Sequence, residues 1–311
     1  MKREIFQPLV RNIFIIIVFT FLSSFQRPMD DSKKGSLLKV MSYNIWNGFE
    51  YGKDERRKEE LIQWIKSEDP DIVALQELCG YTQEKLLGDA KKWGHSYAEI
   101  LKTSGYPVGI TSNQPIEVKE RILDSMHHGA LHCKISGIDF MVVHFSPFSY
   151  EKRHEEAKIV LQRLSRIAAS QDKYIVLGDF NALSPFDADL YGNHSSLLNS
   201  IKASEVQHSH IRNLFLGQLE FGVMAAYLAF PLIDVTQKYT SGLDQRISCP
   251  TQVLEKEKGE GRSERSMRID YILTSPFLSE KCINAKVLNQ EKTYYLSDHY
   301  PVIAEFIHAK L

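Results

Sequence analysis

The sequence predicts an α/β fold with covered sheets. Segments that read as strands are nearly continuous apolar runs and alternate with segments of helical spacing. Polar residues appear where those strands stop, which implies a site along one rim of the sheets.

The fold starts at Leu37. "LLKVMSYNI" is a strand that runs into Asn44, and "DERRKEELIQWIKSEDP" is a helix with a capping Asp54, apolar spacing at Leu61, Trp64 and Ile65, and a stop at Pro70. "DIVALQEL" follows as a second strand and delivers Glu77 at its far end. Downstream, "FMVVHFSP" is a strand ending near His144, and "SYEKRHEEAKIVLQRLSRIAAS" is a helix with Ala157, Val160, Leu161, Leu164 and Ile167 on its apolar side. "KYIVLGDFNA" is a further strand. In it Gly178 is expected to let the backbone turn, and Asp179 and Asn181 to alternate along extended chain while Phe180 points into packing.

Two stretches break the rhythm. Asn213 to Val235 is apolar around most of its circumference, and its segment from Leu214 to Phe230 reads as core packing rather than a lipid-facing element, because Glu220 and Pro231 interrupt it. Leu254 to Arg268 is polar and reads as a solvated loop. Its Arg262, Arg265 and Arg268 could contact an anionic substrate, but the intervening Glu260 and Glu264 favour exposure. His127, His128 and His132 read as surface residues rather than a metal cluster, since neighbours on a strand face opposite ways, and His208 and His210 read as loop residues.

The polar residues at strand ends are Asn44, Glu77, His144, Asp179, Asn181, Asp270, Asp298 and His299. Each alone has a bland explanation in turn or capping chemistry. Together they supply what hydrolysis of a phosphate ester needs: oxygen ligands for a cation, a base for water, donors for developing charge, and carboxylates that orient histidines.

"SYNIW", "ALQEL", "VVHFSP", "GDFNA", "RIDYIL" and "LSDHYPV" come in the order of the motifs of the endonuclease/exonuclease/phosphatase superfamily, the deoxyribonuclease I-like fold, and the chain resembles that family from Ser42 to Val302. The resemblance implies a four-layer α/β sandwich, with two packed mixed β-sheets flanked by helices. It implies a phosphodiesterase or phosphatase that uses Mg²⁺, with Mn²⁺ as an alternative. Glu77 would be the principal metal ligand, with Asn44 beside it and Asp298 near the cation. His299, oriented by Asp270, would be the base or a stabiliser of phosphorane-like charge. Asp179 and Asn181 would place the water and bind a phosphoryl oxygen, and His144 would join Asn181 at the substrate. A histidine at position 144 resembles deoxyribonuclease I-like enzymes, sphingomyelinases and inositol-phosphate phosphatases, whereas the abasic-site nucleases carry an aromatic residue there.

The first residues carry Lys2, Arg3 and Arg11, an apolar stretch from Ile13 to Leu22, and small Ser23 and Ser24. They read as a signal peptide over residues 1–25, followed by a polar leader over 26–36 and one catalytic domain over 37–311. A buried strand or an uncleaved anchor are the alternatives. The expected location is therefore periplasmic or extracellular. Without residues 1–25 the chain holds 35 basic and 38 acidic residues, a balance that argues against nonspecific nucleic-acid binding. Four cysteines without CxxC spacing argue against thiolate zinc. The expected partner is a phosphate-ester substrate, with small or lipid-linked phosphodiesters ahead of extracellular nucleic acid. No protein partner is inferred, and membrane contact is not favoured. A non-catalytic binding module is the rival class, and its signature would be loss of Glu77, Asp179 or His299.

Overall fold

The computed structural model describes residues 36–191, 195–253 and 266–308. The leader, and Arg262 and Arg265, lie outside the described residues. Two six-stranded mixed sheets dominate. The first is built from β1 (Ser36–Asn44), β2 (Ile72–Gln76), β3 (Tyr97–Ile100), β4 (Gly109–Ser112), β13 (Cys282–Val287) and β14 (Val302–His308), in the order β13-β14-β1-β2-β4-β3. The second holds β5 (Glu117–Ile122), β6 (Ala130–Ile135), β7 (Ile138–His144), β8 (Tyr174–Asp179), β11 (Ile233–Asp234) and β12 (Asp270–Thr274), in the order β11-β12-β8-β7-β6-β5. β1 runs parallel to β2 and β7 parallel to β8, while the other neighbours are antiparallel.

Strand alternation sorts the apolar residues into layers. Leu38, Val40, Ile72 and Ala74 of the first sheet meet Phe140, Val142, Ile175, Leu177 and Ile272 of the second in one buried cluster between the sheets. Their neighbours Met41, Tyr43, Val73 and Leu75 turn outward onto helix α1 (Glu55–Glu68) and helix α2 (Gln83–Lys92). On the other side Met141, Val143, Val176, Tyr271 and Leu273 pack against helix α3 (Tyr150–Ala168) and a helix over Gly222–Ala229. Helix, sheet, sheet and helix make four layers, as the family resemblance implies. Helix α1 starts where expected: the Asp54 carboxylate accepts from the Arg57 N–H at 3.0 Å, a cap that contributes about 1 kcal/mol.

Asn213 to Val235 is not a single helix. It forms a two-residue-stranded hairpin, β9 (Leu214–Phe215) with β10 (Gln218–Leu219), then the short helix, then β11. The helix buries Val223, Met224 and Tyr227, as a packing element should, while Phe215 and Leu216 at the hairpin stay exposed. His208 and His210 lie in an exposed loop, as expected. All four cysteines are free and buried. No helix among the described residues is long and apolar enough to cross a membrane.

Arg268 corrects the reading of a solvated loop. Its side chain is fully buried, its Nε donates to Asp187 at 2.7 Å, its Nη2 meets Asp234 at 2.6 Å, and its guanidinium lies over the Tyr271 ring. It anchors the start of β12 two residues before Asp270. Arg268→Ala strips the buried Asp234 carboxylate of its cation and leaves Asp187 with the longer Arg246 contact at 3.6 Å, so chemical denaturation should show a loss of about 3–5 kcal/mol. A loss below about 1 kcal/mol, the range of an exposed pair, would contradict this role.

Candidate active site

The polar residues read from the sequence continue the inner faces of both sheets. Along β1 the inward positions run Leu38, Val40, Ser42, Asn44; along β7 they run Phe140, Val142, His144; along β8 they run Ile175, Leu177, Asp179. The two sheets therefore bring Asn44, His144, Asp179 and Asp270 to one end of the space between them. Within the second sheet His144 pairs in register with Asp179, and Asp179 with Asp270. Asn44 Nδ2 crosses between sheets to donate to Asp179 Oδ2 at 3.1 Å and to Glu77 Oε1 at 3.2 Å.

Asp179 is tied on its other oxygen by the Asn181 N–H at 2.8 Å. Gly178 is needed for close approach rather than for a turn: at φ +141 a Cβ there would sit 2.0 Å from the Val143 carbonyl oxygen of the neighbouring strand. Asn181 also departs from expectation. It takes φ +47, so the chain turns after Phe180 instead of staying extended, and its Nδ2 donates to Phe145 O at 3.0 Å. Phe180 is buried in the outer core as expected.

His299 Nδ1 lies 2.8 Å from Asp270 Oδ2, and its Nε2 faces Asp179 Oδ2 at 3.9 Å. Burial opposes the charged imidazole, but Cys249, Asp270, Asp298 and Asp179 outweigh it and hold His299 well above its ordinary value. The Cys249 thiol is itself pushed up by burial, so the Asp270 hydrogen bond is the partner that counts at neutral pH. Ser248, which the sequence did not single out, donates its hydroxyl to the same Asp270 oxygen at 2.7 Å and accepts from the Ile269 and Asp270 N–H groups. Asp179 is raised to about 8 by burial and then by repulsion from Asp270, and Asp298 to about 6 by burial, with Glu77 adding to the rise.

Glu77 follows β2 with φ +60, and a run of left-handed residues from Trp46 to Tyr51 lies beside it, with φ between +51 and +62. Such backbone costs roughly 1–2 kcal/mol per non-glycine residue. It is offset by specific contacts. Asn47 N–H donates to Glu77 Oε2 at 2.7 Å, Phe49 is buried, and Gly48 presses on the Cys79 backbone, where a Cβ would lie 2.1 Å from the Cys79 carbonyl oxygen. The buried Arg57 guanidinium donates to Ile45 O, Trp46 O and Leu296 O at 3.0–3.1 Å, joining the segment after Asn44 to the one before Asp298. Ser297 Oγ donates to Asn44 O at 2.7 Å and reinforces that join.

The donor set suits a divalent cation. Glu77, Asp179 and Asp298 are hard oxygen donors, and the upward shifts of Asp179 and Asp298 are those of buried carboxylates short of positive charge. Asn44 presents its amide nitrogen to the carboxylates, and its oxygen accepts from Trp46 N–H at 3.1 Å. Among the described residues, the histidine and acidic atoms gathered within 4.8 Å of one another belong to Asp179, Asp270 and His299.

The histidine pair read as a surface feature is not one. His128 is buried and its ring stacks on His144 with centroids 4.1 Å apart and planes at 19°, while His127 remains exposed. Both lie in the loop before β6 rather than on a strand, so alternation does not govern them. His132 is on β6, buried, and 2.6 Å from Asp139.

The family model described as "Endonuclease/Exonuclease/phosphatase family" matches residues 41–299. Among solved structures, the chain is similar to an AP endonuclease from Archaeoglobus fulgidus, with TM-score 0.61, 23% identity, and coverage of 86% of this chain and 99% of that one. It is similar also to the 3′ phosphatase NExo from Neisseria bound to product DNA hairpin, at TM-score 0.61 and 20% identity, with the same coverages. At these identities the likeness is one of fold. No curated protein matches the chain.

The Asp270 bond makes a pH prediction. A histidine raised on folding contributes stability that is full below its unfolded pKa of about 6.5 and lost as pH rises through the folded value. Titrated by NMR in chelator, His299 should stay protonated above neutral pH, and Asp270→Asn should move its titration downward. An unchanged midpoint in that variant would contradict the assigned cause.

Proposed function

The chain belongs to the endonuclease/exonuclease/phosphatase family of metal-dependent phosphoester hydrolases, and on that premise we propose that it is an exported, Mg²⁺-dependent phosphodiesterase. The observation that carries the reading is the convergence of Glu77, Asp179 and Asp298 with the Asp270–His299 pair at the end of the space between the sheets. Glu77, seated by the Asn47 N–H, and Asp298 are assigned to the cation, with Asn44 bridging carboxylates beside them. A bound divalent ion would neutralise phosphoryl oxygen charge and acidify water.

Asp270 and the neighbouring carboxylates hold His299 well above its ordinary value, which favours its protonated form. It is assigned to donate to negative charge developing on the phosphorus oxygens. Asp179, whose carboxyl is raised to about 8 by burial, is assigned to orient water and would accept its proton once a bound cation draws that value down, with Asn44 and the Asn181 backbone fixing its two oxygens. His144 is buried and held well below its ordinary value by burial and by His128, His299 and His127, so it meets a phosphoryl oxygen as a neutral imidazole. Asn181 completes the substrate contacts.

The charge balance favours a diester. Four carboxyl groups, Glu77, Asp179, Asp270 and Asp298, surround the His299 imidazole, while the nearby Arg57 and Arg153 are engaged with backbone carbonyls. A monoester dianion needs more positive charge than a diester monoanion. Export rests on the leader of residues 1–25, and mass spectrometry should find the mature chain beginning near Gln26. The residues whose loss would mark a non-catalytic module, Glu77, Asp179 and His299, are all present.

The test uses bis-p-nitrophenyl phosphate against p-nitrophenyl phosphate, with Mg²⁺ or Mn²⁺ and with chelator. The diester should be the better substrate, and turnover should vanish in chelator and return with metal; full activity without metal would overturn the proposal. Glu77→Ala should abolish turnover by weakening metal binding and recover in part at high Mg²⁺. His299→Ala should leave metal affinity nearly intact and lower the rate by ~10² or more. Rescue of His299→Ala by metal, with none for Glu77→Ala, would reverse the two assignments.

A further inference from the structure

Two buried groups remain outside the chemistry assigned above. His128 is enclosed by three rings, with Tyr106 at 5.2 Å, His127 at 4.3 Å and His144 at 4.1 Å, and the last is a stacked rather than an edge contact. Glu156, on the first half of helix α3, is fully buried, and its two carboxylate oxygens reach separate loops. Oε1 accepts from the His127 N–H at 2.6 Å, and Oε2 from the Ser146 N–H at 2.8 Å. The same helix also holds Ser146 from its other end, because Arg153 Nη1 donates to Ser146 O at 3.0 Å. One carboxylate thus fixes the loop that carries His128 to the segment that immediately follows His144.

We propose that His128 is a positioning residue for His144, and that Glu156 acts through it by locking the His127–His128 loop against the end of β7. The inference rests on the assignment of His144 to the substrate phosphate. An imidazole at a strand end has a two-fold choice about its ring torsion, and packing must select one setting. A flat ring stacked on its face fixes the plane of the imidazole while Asp179 Oδ2, 3.6 Å from Nε2, selects between its two flips, and a stacked ring stays in place only if its own loop is fixed. The loop before β6 is a connection, the kind of segment that moves most readily unless its backbone is tied. Burial of Glu156 raises its carboxyl above the usual range, which fits a group kept for its two backbone hydrogen bonds rather than for an ion pair.

The test compares His128→Ala, His128→Phe, Glu156→Gln and the double variant His128→Ala/Glu156→Gln on bis-p-nitrophenyl phosphate, with melting curves recorded for each. His128→Ala and Glu156→Gln should each lower kcat by between about 10- and 100-fold, the scale of a misplaced reacting group. KM should change by no more than about twofold, because ground-state binding is not what is lost. His128→Phe keeps a flat face and should retain most of kcat. The double variant should be no slower than His128→Ala, since both changes break one device.

A second readout does not depend on turnover. The ring protons of His144 lie under a stacked imidazole, so their NMR shifts should move downfield in His128→Ala and Glu156→Gln and hold in His128→Phe. If these shifts behave as stated and no phosphodiester is hydrolysed, the assigned reaction fails and the positioning holds. If Glu156→Gln does not fold, Glu156→Asp, with its shorter reach, gives the same shift change in part. Additive losses in the double variant, equal damage from His128→Phe and His128→Ala, or an unmoved His144 signal in the Glu156 variants would each overturn the proposal.

Discussion

Two sheets packed face to face through alternate residues impose the geometry on which everything else rests. The inner positions of β1, β7, β8 and β12 are apolar in the middle and polar at one end, so the core between the sheets changes there from hydrocarbon to acid, amide and imidazole. The Asn44 amide spans that change. It touches Asp179 in the second sheet and Glu77 in the first, and no element of either sheet could shift along its strands by one residue without reversing the side chains that meet. The packing that stabilises the domain is therefore also what aligns the polar groups at that end.

Order at this end of the sheets is maintained against strain. Glu77, Asn181 and the run from Trp46 to Tyr51 all hold left-handed backbone. Each is secured by a hydrogen bond that involves the site itself: Asn47 N–H to Glu77, Asn181 N–H to Asp179. Arg57 and Ser297 fasten the surrounding segments from behind, and helix α3 does the same for the His144 side through Glu156 and Arg153. A site built in this way is fixed before any ligand arrives, which suits catalysis by positioned charge.

Much of this was legible in the sequence because it follows from short-range rules. Strands such as "KYIVLGDFNA" declare their apolar run and their polar end, and the helix after Asp54 declares its cap. What was misread depends on partners far along the chain. Arg268 sits in a polar stretch and looks solvated, but Asp187 and Asp234 lie 81 and 34 residues away and bury it. His128 looks like half of a surface pair until the fold sets it on His144. Gly48 is visible as a glycine, yet the left-handed turn around it depends on the Cys79 backbone and on Arg57, which no local pattern reveals. Asn44, His144, Asp179 and Asp270 are legible as strand ends, and alternation along those strands explains why they stand together.

A cation seated on the Glu77 and Asp298 side of the space between the sheets would leave Asp270 to orient His299. Anomalous diffraction from a crystal soaked in Mn²⁺ tests it most directly. One strong peak is expected beside the Glu77 carboxylate, with the Asp270–His299 hydrogen bond of 2.8 Å intact. A peak among Asp179, Asp270 and His299, with that bond broken, would contradict it.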